Sequence, residues 1–301
     1  MKVLVTGASG LIGRALVALD GPEWVATSSK DADLRDYTQT HELFRRHMPL
    51  DGVIHLAANV GGVFKNMAHP VEMYEDNMLM NTNVLRAAHA LGIQRVMCYL
   101  STCIFPDPAP GYPMTMDMLH TGPPHPSNQA YAYAKRMVDI HCKAYQKQYG
   151  REYFCVVPTN VYGPHDNFHL EDAHVIPALI HKCWLAQRDG TPFVVAGDGT
   201  PLRQFIYSDD IARLTLWAFK ECRPEILCPP DAEVSLSRVV QCIVDAFGFT
   251  GPVVYDTSRP NGQLKKTAAS IIPPSDFKFT PLEEGIRRTV EWFKITEHKR
   301  M

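Results

Sequence analysis

The chain has 301 residues, 46% hydrophobic and 21% charged, with 30 Lys plus Arg set against 32 Asp plus Glu. That length supports one large domain or two moderate ones, and the composition excludes a disordered chain. A net charge of −2 gives no reason to expect nucleic acid or an anionic membrane as partner, and no apolar run approaches the ~18 residues of a membrane span.

Lys2 to Thr6 reads as a short buried strand, and Gly7-Ala8-Ser9-Gly10-Leu11-Ile12-Gly13 follows it at once, running into the helix-like Arg14 to Leu19. Gly-x-x-Gly-x-x-Gly in this context is a dinucleotide turn. The first glycine permits the tight turn, the second lets backbone approach a pyrophosphate, and the third lets helix pack on strand. A second strand, Trp24 to Thr27, precedes Ser28-Ser29-Lys30-Asp31-Ala32-Asp33-Leu34. A carboxylate directly after this strand would grip a ribose 2′-hydroxyl; two serines and a lysine favour NADP over NAD. Asp33 and Leu34 either lie over the adenine or start the next helix.

Gly52 to Ala58 reads as the next parallel strand, ending in Ala57 and Ala58, where a dinucleotide must pass close to the backbone. His55 within it reads as structural. A helix from about Val71 to Leu91 stops at Gly92, and a strand from Arg95 to Leu100 delivers Ser101-Thr102-Cys103 at its carboxyl end, the edge where open α/β sheets bind ligands. The proline-rich stretch from Pro106 to Pro126 must be irregular. A helix from Tyr131 to Tyr149 and a strand from Tyr153 to Pro158 follow. This alternation indicates an α/β, doubly wound parallel (Rossmann) sheet.

In the long helix, Tyr131 and Lys135 are four apart and face the same way. An adjacent ammonium favours phenolate, so Tyr131 is expected to titrate below its usual value of about 10 and to act as an acid-base group. After Gly163 the segments become shorter: a helix from Val175 to Ala186, a strand from Phe193 to Val195, and Arg203 to Asp210 leading into a helix, Ile211 to Phe219, placed to return to the sheet. A helix near Ser235 to Phe247, a strand from Val253 to Tyr255 and a helix from Leu282 to Phe293 complete the pattern. The division expected is an NADP-binding domain of 1–160 plus about 204–225, and a smaller α/β substrate-binding domain of about 161–203 plus 226–301.

The eight cysteines show no Cys-x-x-Cys pair and no zinc-like His/Cys spacing, so reduced thiols are expected and a metal is not. With a strand pattern at its start rather than a charged and apolar leader, the chain is expected to be cytoplasmic.

The glycine turn, His55-Leu56-Ala57-Ala58, Ser101 and Tyr131-x-x-x-Lys135 together resemble the extended short-chain dehydrogenase/reductase family, whose members mostly modify nucleotide-linked sugars. Narrower segments, Ser101 to Pro106, Pro158 to Phe168, His174 to Leu179 and Thr200 to Phe205, are similar to members that take GDP-4-keto-6-deoxy-D-mannose, invert C3 and C5, and reduce the C4 ketone with NADPH. The resemblance implies Ser101, Tyr131 and Lys135 as a reductase triad and Cys103 with His174 as the acid-base pair of epimerisation. It implies NADP(H) held along Gly7, Gly10, Leu11, Ile12, Gly13, Lys30, Asp33, Leu34, Ala57, Ala58, Tyr131, Lys135, Pro158, Asn160, Val161 and His174. Asn160, Lys182, Arg203 and Lys266 are implied for the GDP-sugar. Lys182 stands where some relatives carry arginine, exchanging a bidentate fork for a point charge.

The chemistry agrees with these residue types. C3 and C5 flank the ketone, so their protons become removable once a donor holds the carbonyl oxygen. A thiol and an imidazole, with reference pKa values of roughly 8.5 and 6.5, suit proton exchange near neutrality. The resemblance also implies a homodimer paired through the helices near Val71 to Leu91 and Tyr131 to Tyr149. Two other readings stay open: another nucleotide-sugar 4-epimerase or dehydratase, which would retain and recycle NAD, and a non-catalytic NADP-binding regulator. Leu227 to Asp231 and Ile271 to Pro274 depart from the pattern of relatives.

Overall fold

Apolar runs with few polar interruptions form strands that can be buried on both faces, and four of the first five strands are so placed. The computed structural model describes residues 1–170, 173–230, 233–259, 264–271 and 273–298. In chain order it builds β1 (Lys2–Thr6), α1 (Leu11–Val17), β2 (Glu23–Thr27), α2 (Tyr37–His47), β3 (Gly52–His55), α3 (Val63–Ala68), α4 (Pro70–Ala90), β4 (Arg95–Tyr99), α5 (Gln129–Tyr149) and β5 (Glu152–Pro158). The strands pair in parallel in the order β2-β1-β3-β4-β5. Val3, Val5, Val53, Ile54, Val96, Met97 and Val156 are wholly buried between the helical layers.

Helix ends follow local chemistry. Proline at the first turn of α4 gives up an amide that has no partner there anyway, and Gly150, at φ 64°, takes the left-handed position that closes α5. One face of the sheet carries Phe44 of α2, Leu85 of α4 and Val138 of α5 in a common core. The other face carries Leu16 of α1.

The second half adds β6 (Asn160–Tyr162), α6 (Val175–Asp189), β7 (Phe193–Ala196), β8 (Leu202–Tyr207), α7 (Ser208–Glu221), β9 (Ile226–Leu227), β10 (Glu233–Ser235), α8 (Leu236–Phe247), β11 (Val253–Asp256) and α9 (Leu282–His298). Strands β10, β8 and β6 form one small sheet, and β11 pairs in parallel with β7. Ile180, Phe193, Ile243 and Phe293 sit in a separate core beneath them. Helix α7 returns to the large sheet, where Ile211 and Phe219 share a core with Leu16.

Pairing redraws the expected division at two places. Ile226–Leu227, assigned on sequence to the smaller domain, pairs with Val157 and Pro158 and closes the large sheet as its sixth strand. Residues 204–207, assigned to the dinucleotide domain, belong to the small sheet, with Gln204 opposite Glu233 of β10 and Phe205 to Tyr207 opposite β6. Strands β6 and β8 have no counterpart in the sequence reading, because Asn160, Arg203 and Gln204 interrupt their apolar pattern. Asp231 and Ile272, within the two departing segments, lie outside the described residues.

A stretch around Ala268 stitches the halves together. The Gln204 side chain donates to the Ala268 carbonyl at 2.9 Å and accepts the Ala268 amide at 2.7 Å, as a neighbouring strand would. On its other side, the Met114 amide donates to the Thr267 carbonyl and the Met114 carbonyl accepts the Ala269 amide.

Candidate active site

A cavity of about 770 Å³ opens over the carboxyl ends of β1, β3 and β4. The strand order reverses between β1 and β3, and connections leaving in opposite directions there leave a crevice. The glycine turn forms one wall. Gly7 has φ +71°, and a Cβ on it would stand 2.7 Å from the Ala57 amide nitrogen; a Cβ on Gly13 would stand 2.4 Å from the Gly7 carbonyl. Only glycine allows β1, α1 and the end of β3 to close this tightly.

A buried relay fixes the floor. The Ala57 amide donates to Thr6 Oγ1 at 3.4 Å, Thr6 Oγ1 meets His55 Nδ1 at 2.7 Å, and His55 Nε2 meets Asn81 Oδ1 at 2.9 Å. Burial, with the charge of Lys135, pushes the His55 pKa down to about 3. A neutral imidazole that donates to Asn81 and accepts from Thr6 satisfies the relay, so His55 is a strut.

Of the residues assigned to the dinucleotide, Gly7, Gly10, Leu11, Ile12, Gly13, Asp33, Leu34, Ala57, Ala58, Tyr131, Lys135, Pro158, Asn160, Val161 and His174 all line the cavity. Lys30 does not; it is exposed beyond the rim. The cation at that end is Arg35, which lines the cavity and is held by Asp33 at 2.8 Å and Asp76 at 3.2 Å. Its signal was a basic residue directly after Asp33-Leu34.

Ser101, two residues beyond the end of β4, lines the cavity, as do Tyr131 and Lys135 of α5. Lys135 Nζ donates to the Tyr99 carbonyl at 3.0 Å and lies 6.0 Å from the Tyr131 ring centre. Burial pulls its pKa down to about 8. Tyr131 departs from expectation: its pKa is raised, by burial first and then by the charge of Cys103. With the ammonium turned to Tyr99, loss of water around the phenolate outweighs attraction to the cation. A phenol that keeps its proton is a donor, suited to hold and protonate a carbonyl oxygen.

Cys103 occupies the 3-10 turn Thr102–Ile104. It lines a narrow crevice adjoining the cavity together with His125, Asn128 and Lys266, and Thr102 borders both spaces. His174 caps α6 without using its imidazole for capping, and its pKa is lowered by crowding protein and then by Lys266. Lys266 is itself held below its ordinary value by burial, with Arg203 adding to the effect and Cys103 opposing it. Asn160 Nδ2 donates to the Gln204 carbonyl at 2.8 Å, tying β6 to β8. Arg203 and Lys182 border neither space; burial lowers both, and Arg259 lowers Lys182 further.

Sequence reasoning gave no role to Asp166. It lines the cavity after His165, whose φ is a left-handed 69°. Its Oδ2 is buried without a partner among the described residues, and burial raises its pKa to about 7 although the Asn167 amide opposes this. Only the folded path of the loop makes this carboxyl unusual.

The arrangement can hold a dinucleotide along the glycine turn and can exchange protons at a ketone near Tyr131. Residues 3–226 match the model of the NAD dependent epimerase/dehydratase family. The chain is 44% identical to a GDP-L-fucose synthase of Dictyostelium discoideum, over 97% of this chain and 94% of that protein. It is equally 44% identical to a probable GDP-L-fucose synthase of Drosophila melanogaster, over 97% of each. A GDP-L-fucose synthetase of Naegleria fowleri bound to NADP superposes with a TM-score of 0.92 at 44% identity, covering 98% of this chain and 93% of that one. Family match, near-full-length relatives and a shared crevice agree: the chain belongs to the NAD dependent epimerase/dehydratase family.

Proposed function

We propose that this chain is an NADP(H)-dependent enzyme that inverts C3 and C5 of GDP-4-keto-6-deoxy-D-mannose and reduces C4 to give GDP-L-fucose. The observation that carries this reading is the meeting of Ser101, Tyr131, Lys135 and His174 in one cavity, with Cys103 against its wall. The 44%-identical relatives named as GDP-L-fucose synthases support the substrate.

The residues present fit a dinucleotide. A side chain at Gly7 or Gly13 would push apart the turn that a pyrophosphate follows, and Arg35, lining the same cavity, offers a guanidinium for a 2′-phosphate. Bound NADPH supplies the hydride for C4. Tyr131 donates a hydrogen bond to the C4 oxygen, first to stabilise the enolate and later to protonate the alkoxide. Ser101 shares that oxygen. Lys135 keeps positive charge behind the phenol.

Cys103 and His174 exchange the C3 and C5 protons. One removes a proton while the other returns one to the opposite face, inverting the carbon. Lys266 with Arg203, and Lys182 with Arg259, crowd like charges that a diphosphate would relieve. The test is incubation with GDP-4-keto-6-deoxy-D-mannose and NADPH in deuterated water. One NADPH consumed per sugar with deuterium at C3 and C5 is expected. Catalytic cofactor with no net consumption would instead identify a 4-epimerase or dehydratase.

A homodimer fits the same reading. Tyr133, Met137 and Ile140 form an exposed apolar stripe along α5, and Tyr74 and Leu79 extend apolar surface onto α4. Light scattering at twice the monomer mass is expected, and Ile140→Glu should return it to one chain. Among the described residues no helix is long and apolar enough to cross a membrane. Eight free thiols support a reducing cytoplasm.

A further inference from the structure

The turn that carries Cys103 and the helix that carries Tyr131 are joined by Arg136. It follows Lys135 on α5 and is 4% exposed. Its Nε donates to the Ile104 carbonyl at 2.6 Å and its Nη1 to the Gly122 carbonyl at 2.7 Å. Nη2 is buried without a partner among the described residues. Ile104 is the last residue of the 3-10 turn centred on Cys103, and Gly122 lies on the returning arm of the proline-rich loop.

Burying a guanidinium is costly, and an aspartate or glutamate is the usual compensation. Here two neutral carbonyls accept its hydrogen bonds. Against the lowering caused by burial, the Arg136 pKa is raised first by Tyr133, whose ring centre lies 5.5 Å from the guanidinium carbon, and then by Cys103. Cys103 acts in the same sense on Lys266 and, after Cys98 and Cys155, on Lys135.

We propose that Arg136 is a positioning residue: by bridging Ile104 and Gly122 from α5, it fixes the Cys103 sulfur relative to Tyr131 and keeps positive charge beside it. This rests on the proposed role of Cys103 in epimerisation. In that step the sulfur accepts the proton from C3 or C5, the carbon's electron pair moves toward the C4 oxygen held by Tyr131, and His174 returns a proton. Nothing is oxidised or reduced. A sulfur displaced from the reacting carbon would leave cofactor binding intact and slow only this exchange.

The experiment uses the full chain with GDP-4-keto-6-deoxy-D-mannose and NADP⁺ in deuterated water, so that C3 and C5 exchange is read without reduction. Arg136→Met is expected to lower exchange by about 10²-fold, the cost of a small misplacement, with NADPH affinity within about twofold by fluorescence titration. Arg136→Lys keeps the charge but cannot bridge both carbonyls in plane, and should recover only part of the loss. It also serves as the second variant should Arg136→Met fold poorly. Alkylation of Cys103 by iodoacetamide should slow in both. Cys103→Ser, measured alongside, separates the two ideas. Loss of exchange in Cys103→Ser with parental exchange in both Arg136 variants overturns the positioning role and leaves the reading of Cys103 standing. A fall in exchange matched by an equal fall in NADPH affinity also overturns it, by showing a merely structural arginine. Parental exchange in Cys103→Ser removes the base itself, and the positioning role with it.

Discussion

At the Gly7 end of the cavity, main chain makes the wall: a glycine turn closed against Ala57, and small residues where β3 stops. At the Cys103 end, side chains make it, and they arrive from the end of β4, from α5, from the cap of α6 and from the stretch around Ala268. The first end needs only β1, its turn, α1 and the end of the neighbouring β3, all within the first half of the chain. The second needs both halves of the molecule docked, since Lys266 is held by Gln204 on one side and Met114 on the other through its neighbours. One end is written locally; the other is an outcome of assembly.

The largest effect that would sharpen this contrast is at Tyr131. Tyr131→Phe removes the donor at the ketone and should lower NADPH oxidation by about 10³-fold, within the range for a positioned acid, while NADPH still binds. Equal loss of binding would mean that the phenol belongs to the main-chain end after all.

Gly13→Ala acts at the opposite end. Its Cβ would stand 2.4 Å from the Gly7 carbonyl, and the forced shift should cost about 1–3 kcal/mol of stability and weaken NADPH binding at least tenfold, of order 1.4 kcal/mol. Calorimetry with and without NADPH reads both. Unchanged binding would show that the turn does not set the cofactor site.

The smallest effect is pH-dependent and belongs to the relay under the floor. Unfolded His55 takes a proton below about 6.5, whereas folded His55 resists protonation down to about 3. Between those values the unfolded chain binds more protons, so stability falls as pH drops through the window. His55→Gln should be less stable than the parent near neutrality and lose less on acidification to about pH 4. Parallel melting curves for the two chains would sink the relay.

Legibility follows the same contrast. The turn at Gly7 to Gly13, the ends of β4 and α5, and the placement of Ser101 and Tyr131 could be read in the sequence because spacing and backbone demands are local. Lys30 against Arg35 could not, since which cation reaches the crevice depends on the path of the loop after β2. Spacing alone also gives the opposite direction for the Tyr131 shift. Four residues of separation place Lys135 on the same face, but only the fold turns its ammonium toward the Tyr99 carbonyl and takes water from the phenol. Strands β6 and β8 escaped because their polar residues serve side-chain bonds, Asn160 to the Gln204 carbonyl and Gln204 to Ala268, which no alternation pattern records.

Gln204 imitates a strand with its side chain, and that has a kinetic meaning. The amide of Ala268 is bonded to a side chain of the small sheet, and the amide of Ala269 to the proline-rich loop above the large one. The first bond forms within the second half, and the second exists only once the two halves have met. Slow hydrogen exchange at Ala269 would therefore time the docking of the halves, and at Ala268 the folding of the small sheet beforehand. Their protection should vanish in Gln204→Ala at position 268 first, well before the strands on either side begin to open.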